Sequence, residues 1–365
     1  MTGATPIEHV SAEAFVVPTD AHESDGTFEW DATTMVVCRV DAGGKTGIGY
    51  TYAARAAATF IEDTLSGAVQ GRDAFETAAA YVAMRVACRN NGRSGITSAA
   101  VSAVDTALWD LKGRLLGVPV VSLIGAARDT VPAYGSGGFT SYTIDRLQRQ
   151  LAGWVEEGMT RVKMKIGRDP REDVRRVEAA RDAIGPDAEL FVDANGAYPR
   201  HVALEQAVRF ESQHVSWFEE PVSSDDIEGL ALMVNRAPHG MAIAAGEYGY
   251  VVYDFRRLLE ARAVHVLQAD ATRCGGITGF LKAAALAEAW NTPLSAHTAP
   301  SIHVHACSAV ANVVHIEYFH DHTRIEQMFF DGAAHAVNGM LGVDCRRPGL
   351  GLDFKDSDAA RFRVA

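Results

Sequence analysis

Seven ionisable residues, Lys165, Asp193, Glu219, Glu247, Asp270, His297 and Glu317, each close an apolar, β-prone run, and successive members lie 20 to 28 residues apart. That is about the length consumed by one strand, one covering helix and two loops in a barrel of parallel strands. Every strand of such a barrel points its C-terminal end at the same mouth, so the spacing predicts one shared site. Asp193 follows ELFV, Glu219 follows VSWF and Glu247 follows MAIAAG. All three are hard oxygen donors, suited to Mg²⁺ or Mn²⁺ and poorly suited to zinc. One acid at a strand end is ordinarily a solvated residue; three at this spacing call for a shared cation.

Around that cation the sequence supplies bases. Lys163 and Lys165, in VKMKIG, share one face of a strand, and their mutual repulsion is expected to lower the pKa of one toward a value at which neutral lysine is a base. His297 follows TPLSA, and Asp270 closes AVHVLQAD one unit earlier. A carboxylate on the adjacent strand would fix the imidazole tautomer and raise its basicity. In FEEP, Glu220 rivals Glu219 as a ligand; alternation sends the two to opposite faces, and spacing does not choose between them. Most of His303, His305, His315, His320 and His322 are expected to have no chemical role, and His303 with His305 lacks the HExxH spacing of a zinc helix. A lysine and a histidine opposed across a divalent cation suit removal of the weakly acidic proton beside a carboxylate. Cation and hydrogen-bond donors would stabilise the enediolate while the bases contribute about 10²–10⁴-fold.

The elements that would hold these groups are legible as repeats. VKMKIG, ELFVDAN, VSWFEEP, MAIAAGE, AVHVLQAD, TPLSAHT and VVHIEYF are short strand-like runs, separated by helical stretches such as DVRRVEAARDAIG and GFLKAAALAEAW. Regular strand-helix alternation means a parallel sheet, and seven or eight units favour a closed barrel over an open dinucleotide fold, for which no GxGxxG is present. Before the barrel, TMVVCRV-DAGGKTG-IGYTYA reads as a hairpin, and TSAAVSAVDTALWDLKGRLLG as an amphipathic helix ended by Gly117 and Pro119. TDAHESDGTFEW has the turn and charge content of a mobile surface loop. We expect an α+β region at 1–128, a barrel at 129–330 and a tail at 331–365 that returns to the first region; 365 residues exceed one ordinary core.

In order along the chain, SAVDTALWDLKGRLLGVPVVSLIGA, VKMKIG, VDAN, WFEEP, AAGE, QADATRCGGIT, SAHT and PGLGLDF resemble the enolase superfamily, mandelate racemase subgroup. Each motif is weak alone, but the ordered set covers nearly the whole chain. The resemblance implies an α/β fold, a modified (β/α)₇β TIM-like barrel with an α+β capping domain built from both termini. It implies Mg²⁺ held by Asp193, Glu219 and Glu247, with Glu219 rather than Glu220 as the ligand. Lys165 is then one base, Lys163 its tuning neighbour and a substrate contact, Asp270 and His297 the opposing dyad, and Glu317 an acid that hydrogen-bonds the substrate carboxylate. GIGYTYA stands where relatives commonly carry a GxGE-type turn, which points to a distinct substrate pocket.

Members with both a lysine and a His-Asp dyad include racemases and acid-sugar dehydratases, so the machinery narrows the first step and leaves the second open. Dehydration of an aldonate or aldarate to a 2-keto-3-deoxy acid is the favoured expectation; racemisation, epimerisation or lactone cycloisomerisation is the alternative, and an inactive ligand-binding barrel the alternative of another class. The preference rests on polar specificity candidates: Asp20 to Trp30, Tyr50, Tyr52, Asn195 and Phe319 to Arg324, with His322, offer many groups for hydroxyls and few for a phenyl ring. A net charge of −12 and pI near 5.5 argue against nucleic acid. Five scattered cysteines without a CxxC pair read as reduced thiols, and neither a leader pattern nor a run of about 18 apolar residues occurs. A cytoplasmic homo-oligomer acting on a small carboxylate is the expectation, with no membrane partner.

Overall fold

The computed structural model describes residues 4–364. Three long antiparallel strands come first: β1 (His9–Ser24), β2 (Glu29–Ala42) and β3 (Lys45–Tyr52). The β2–β3 hairpin turns at Gly43 and Gly44, both at positive φ, as the glycine-containing turn requires. The Asp20–Trp30 stretch is not a loop. It is the tip of the β1–β2 hairpin, turning only over residues 25–28; pairing with β2 shifts register between Pro18 and Glu23 and resumes at Glu23 and Ser24, both buried. Strand pairing, not hydrophobicity, organises it.

The helix Ile96–Leu116 lies across this sheet and ends on Gly117 in the left-handed conformation. It is not a one-faced amphipathic helix: Thr97 through Leu108 are all buried, because the capping sheet covers one side and the barrel helix Gly276–Ala289 the other. Contact with β3 is close. A Cβ on Gly49 would stand 2.1 Å from the Ala103 carbonyl oxygen and 2.5 Å from the Ala107 nitrogen. Gly49→Ala is therefore expected to destabilise the protein by about 1–3 kcal/mol through overpacking. Denaturant unfolding checks this, and an unchanged midpoint would remove the steric argument.

Eight parallel strands follow: β4 (Thr130–Gly137), β5 (Arg161–Lys165), β6 (Glu189–Asp193), β7 (Val215–Glu219), β8 (Ala242–Ala245), β9 (Val266–Ala269), β10 (Leu294–Ala296) and β11 (Val313–Phe319). They pair in sequence order, and β11 pairs with β4 to close the barrel. Helices cover the outside, so strands such as β6 are buried on both faces, which is why they read as continuous apolar runs. Tyr134, Phe191, Trp217 and His315 pack ring against ring inside the barrel, with Lys163 Nζ 5.5 Å from the Tyr134 ring centre. They form a floor under the mouth. The tail touches both halves of the molecule: Met340–Gly342 pairs with β4, and Arg363–Val364 adds to β1. Among the described residues no helix is long and apolar enough to cross a membrane.

Candidate active site at the barrel mouth

Strand register assembles the charges. Lys165 pairs with Asp193, and Asp193 with Glu219, on β5, β6 and β7. Glu247 follows β8 after Gly246, whose φ of +135° and approach to the Gln268 carbonyl oxygen, 2.2 Å from a built Cβ, leave no room for a side chain. Asp193, Glu219 and Glu247 are all buried and each offers an oxygen within 4.8 Å of the others. Glu220 is also buried, but a backbone φ of +36° turns it out of this triad. Trp217 fixes the selected glutamate, its indole N–H donating to Glu219 Oε2 at 2.9 Å.

The lysines behave differently from the expectation drawn from VKMKIG. Lys163 Nζ lies 2.5 Å from Glu219 Oε1, 2.8 Å from Glu317 Oε1 and 3.4 Å from Asp193 Oδ2; Lys165 Nζ lies 2.5 Å from Asp193 Oδ2. Burial favours the neutral amine, but these carboxylates outweigh it and hold both lysines above their ordinary values. The sequence argument counted the neighbouring ammonium and missed acids delivered by other strands. Conversely, burial and the Asp193 charge push the Glu219 carboxyl up to about 8. Glu247 Oε2 has no hydrogen-bond partner among the described residues, with His297 Nε2 3.3 Å away.

Across the mouth, His297 Nδ1 lies 2.8 Å from Asp270 Oδ2, which directs Nε2 toward Glu247 and Glu317. Thr272 pins Asp270 with its backbone N–H and its hydroxyl, both at 2.7 Å from Oδ1. Burial alone would lower the imidazolium pKa, yet Glu247, Glu317 and the bond to Asp270 raise it. Glu317 accepts from Ser136, Lys163 and the Thr298 backbone N–H; burial would raise it, but Lys163, His297 and Lys165 together outweigh burial and keep it ionised. In this arrangement it ties strands together as an acceptor.

A cavity of about 340 Å³ opens between Lys165 and His297. Asn195, Glu247 and His322 also line it, whereas Lys163 lies beneath it and Tyr52 behind it, the Tyr52 hydroxyl donating to the His322 carbonyl oxygen at 3.3 Å. Tyr50 is buried and bonded to Glu326, away from the cavity. Phe28, Trp30 and Phe319 give one wall an aromatic surface, so the pocket is less uniformly polar than its sequence suggested. His320 to Arg324 belongs to the helix His320–Phe329. Arg273, which the sequence reading passed over within QADATRCGGIT, lines the same cavity, with its guanidinium 3.3 Å from Glu247 Oε1 and 3.6 Å from Asp270 Oδ2. Of the other histidines, His303 supports the backbone at Ala271 and Thr298, and His305 bonds the Leu350 carbonyl.

A closed parallel barrel with a buried acidic triad, and a lysine facing a His-Asp pair at the C-terminal ends of its strands, has the layout of an enzyme site. Family models agree: residues 15–125 match the mandelate racemase/muconate lactonizing enzyme N-terminal domain, and residues 146–359 the enolase C-terminal domain-like family. The chain belongs to the mandelate racemase/muconate lactonizing enzyme family of the enolase superfamily. It is 35% identical to a 3,6-anhydro-α-L-galactonate cycloisomerase of Streptomyces coelicolor over 96% of this chain and 98% of that one. A mandelate racemase/muconate lactonizing enzyme-like protein from Rubrobacter xylanophilus superposes with a TM-score of 0.96 at 49% identity, covering 98% of this chain and 100% of that one. L-talarate/galactarate dehydratase from Salmonella typhimurium, liganded with Mg and L-lyxarohydroxamate, superposes with a TM-score of 0.90 at 28% identity, covering 99% and 94%.

Proposed function

We propose that this protein is a Mg²⁺-dependent sugar-acid lyase that removes the α-proton of an aldonate or aldarate and expels the β-hydroxyl, giving a 2-keto-3-deoxy acid. The observation that carries the reading is the pair of opposed groups, Lys165 and His297, on one cavity beside a buried acidic triad. The donor set fits the ion: three hard carboxylates, with a buried Glu247 oxygen that has no hydrogen-bond partner among the described residues. When bound by Asp193, Glu219 and Glu247, the cation supplies positive charge to stabilise the enediolate.

The remaining work falls to the chain. With Asp193 engaged, the influences left on Lys165 that matter most are burial and the Lys163 charge, and both favour the neutral amine that accepts the α-proton. With Glu247 engaged in the same way, Glu317 and Asp270 remain to favour the His297 imidazolium, which holds the proton that the departing oxygen needs. Asn195, with a buried unpartnered Oδ1 on the cavity, is proposed to bind a substrate hydroxyl.

Cycloisomerisation is the second reading, favoured by the 35% identity to a cycloisomerase over nearly the full length of both chains. In a 3,6-anhydro sugar acid the β-oxygen belongs to a ring ether, so the same two bond changes give a keto acid without release of water. Proton NMR in D₂O with Mg²⁺ and pooled aldonic, aldaric and anhydro-sugar acids separates these outcomes. A 2-keto-3-deoxy product from an open-chain acid supports the lyase; product only from a cyclic acid supports the isomerase. Deuterium exchange alone, with no elimination from any acid, would sink both.

Metal binding has its own expected signature. Because the Glu219 carboxyl is pushed up to about 8, the free protein holds a proton at neutral pH that a cation must displace. Mg²⁺ uptake should therefore release protons at pH 7, and its affinity should rise as pH approaches 8. Calorimetry in buffers of different ionisation enthalpy measures the release. A protein that takes up no Mg²⁺ would instead fit an inactive ligand-binding barrel.

A further inference from the structure

His322 differs from the four other histidines between residues 303 and 322. The rings of His303, His305, His315 and His320 each have a hydrogen-bond partner, whereas neither ring nitrogen of His322 has one among the described residues. Its Nδ1 is fully buried, and the residue lines the cavity that Lys165 and His297 share. An imidazole in such a place forgoes hydrogen bonds that water would supply, unless a ligand restores them. The ring is nevertheless held in position. Tyr52 stacks on it with ring centres 3.4 Å apart and planes 10° apart, the Tyr52 hydroxyl secures the His322 carbonyl, and Phe319 presses edge-on at 5.0 Å.

The chemistry of the ring narrows the ligand. Desolvation holds His322 well below the usual histidine range, so it stays neutral, with one N–H donor and one lone pair. A hydroxyl can serve either one, and any hydroxyl or ether oxygen can accept from the N–H; a phenyl ring would leave both unmet. Placement narrows it further: His322 lines the same cavity as His297 and Arg273, and the charges of His297, Asp270, Arg273 and Glu317 reach it there. The substrate oxygen that must come within reach of His297 is the one that leaves.

We propose that His322 is a catalytic residue that binds the β-oxygen of the substrate by hydrogen bonding and holds it for protonation by His297. This rests on the elimination reading of the same site. The α-proton passes to neutral Lys165 Nζ, and its bonding pair enters the enediolate. As that pair forms the C2–C3 double bond, the C3–O pair leaves with the oxygen, which takes its proton from the His297 imidazolium and departs as water. The enol product then tautomerises to the 2-keto acid. His322 keeps its own proton throughout and stabilises the charge developing on the oxygen.

The test follows α-exchange and elimination in one tube, by proton NMR in D₂O with Mg²⁺ and the sugar acid turned over by wild type, for His322→Phe and His322→Asn. Elimination by His322→Phe should fall about 10²-fold, the loss typical of removing one such donor, while α-deuterium exchange stays within a few-fold. His322→Asn, which keeps a donor and an acceptor, should recover most of the loss. Equal losses in exchange and elimination with retained Mg²⁺ uptake, or no loss in either, would overturn the assignment while leaving the lyase intact. Exchange by wild type without elimination of any acid would remove the assignment and the lyase together.

Discussion

Lys165→Met should lose α-proton exchange by about 10²–10⁴-fold, the range expected for a general base, and yet bind Mg²⁺ more tightly than wild type. The two effects have opposite signs for one reason. Lys165 Nζ sits 2.5 Å from Asp193 Oδ2, so in the free protein the ammonium occupies a carboxylate that the cation is proposed to use. Removing it takes away a competitor and leaves a more negative site. Without metal, the same change leaves buried Asp193 with only the more distant Lys163 ammonium, at 3.4 Å, and the Asn195 N–H, so the cost should approach the roughly 3–5 kcal/mol of breaking a buried pair. The variant should accordingly unfold more easily after chelation and regain stability with Mg²⁺. Thermal unfolding with and without the ion measures this, and exchange followed by NMR measures the base. Wild-type exchange rates would exclude Lys165 as the base, and weaker Mg²⁺ binding would exclude the competition.

The acids at the barrel mouth were readable because each terminates an apolar run, and a parallel strand buried on both faces has no other place for a charge than its end. Asp193, Glu219 and Glu247 are brought together by barrel closure, which their spacing anticipates. What the sequence hid was contact between strands. Trp217 looks like core filler, but its indole N–H aims Glu219. Arg273 looks like one charge in a loop, but it reaches both Glu247 and Asp270. The lysine pair was misjudged for the same reason, since the four neighbours that raise Lys163 all lie on other strands: Glu219, Glu317, Tyr134 and Asp193. The β1–β2 hairpin tip was mistaken for a loop because its outward residues are polar and its inward ones include Glu23, whose indole partner, Trp30, comes from the opposite strand. Composition cannot report pairing.

Asp270→Asn is the change that should separate the two chemical steps. Thr272 gives Asp270 Oδ1 two hydrogen bonds, from its N–H and its hydroxyl. An asparagine must therefore keep its carbonyl oxygen at Thr272 and turn its NH₂ toward His297. The NH₂ would donate to His297 Nδ1, where the carboxylate now lies 2.8 Å away as an acceptor, and that reverses the tautomer. His297 would then hold its single proton on Nε2 as a neutral imidazole, a poor acid, without the adjacent negative charge that stabilises the imidazolium. Elimination should fall about 10²–10⁴-fold. Lys165, on β5 across the cavity, keeps its environment, so α-exchange should persist and the ratio of exchange to elimination should rise by nearly the full factor. Nitrogen-15 NMR of His297 reads the tautomer directly. If it is unchanged while elimination is lost, orientation by Asp270 is not the cause; if exchange and elimination fall together, His297 rather than Lys165 removes the α-proton, and the two bases exchange roles.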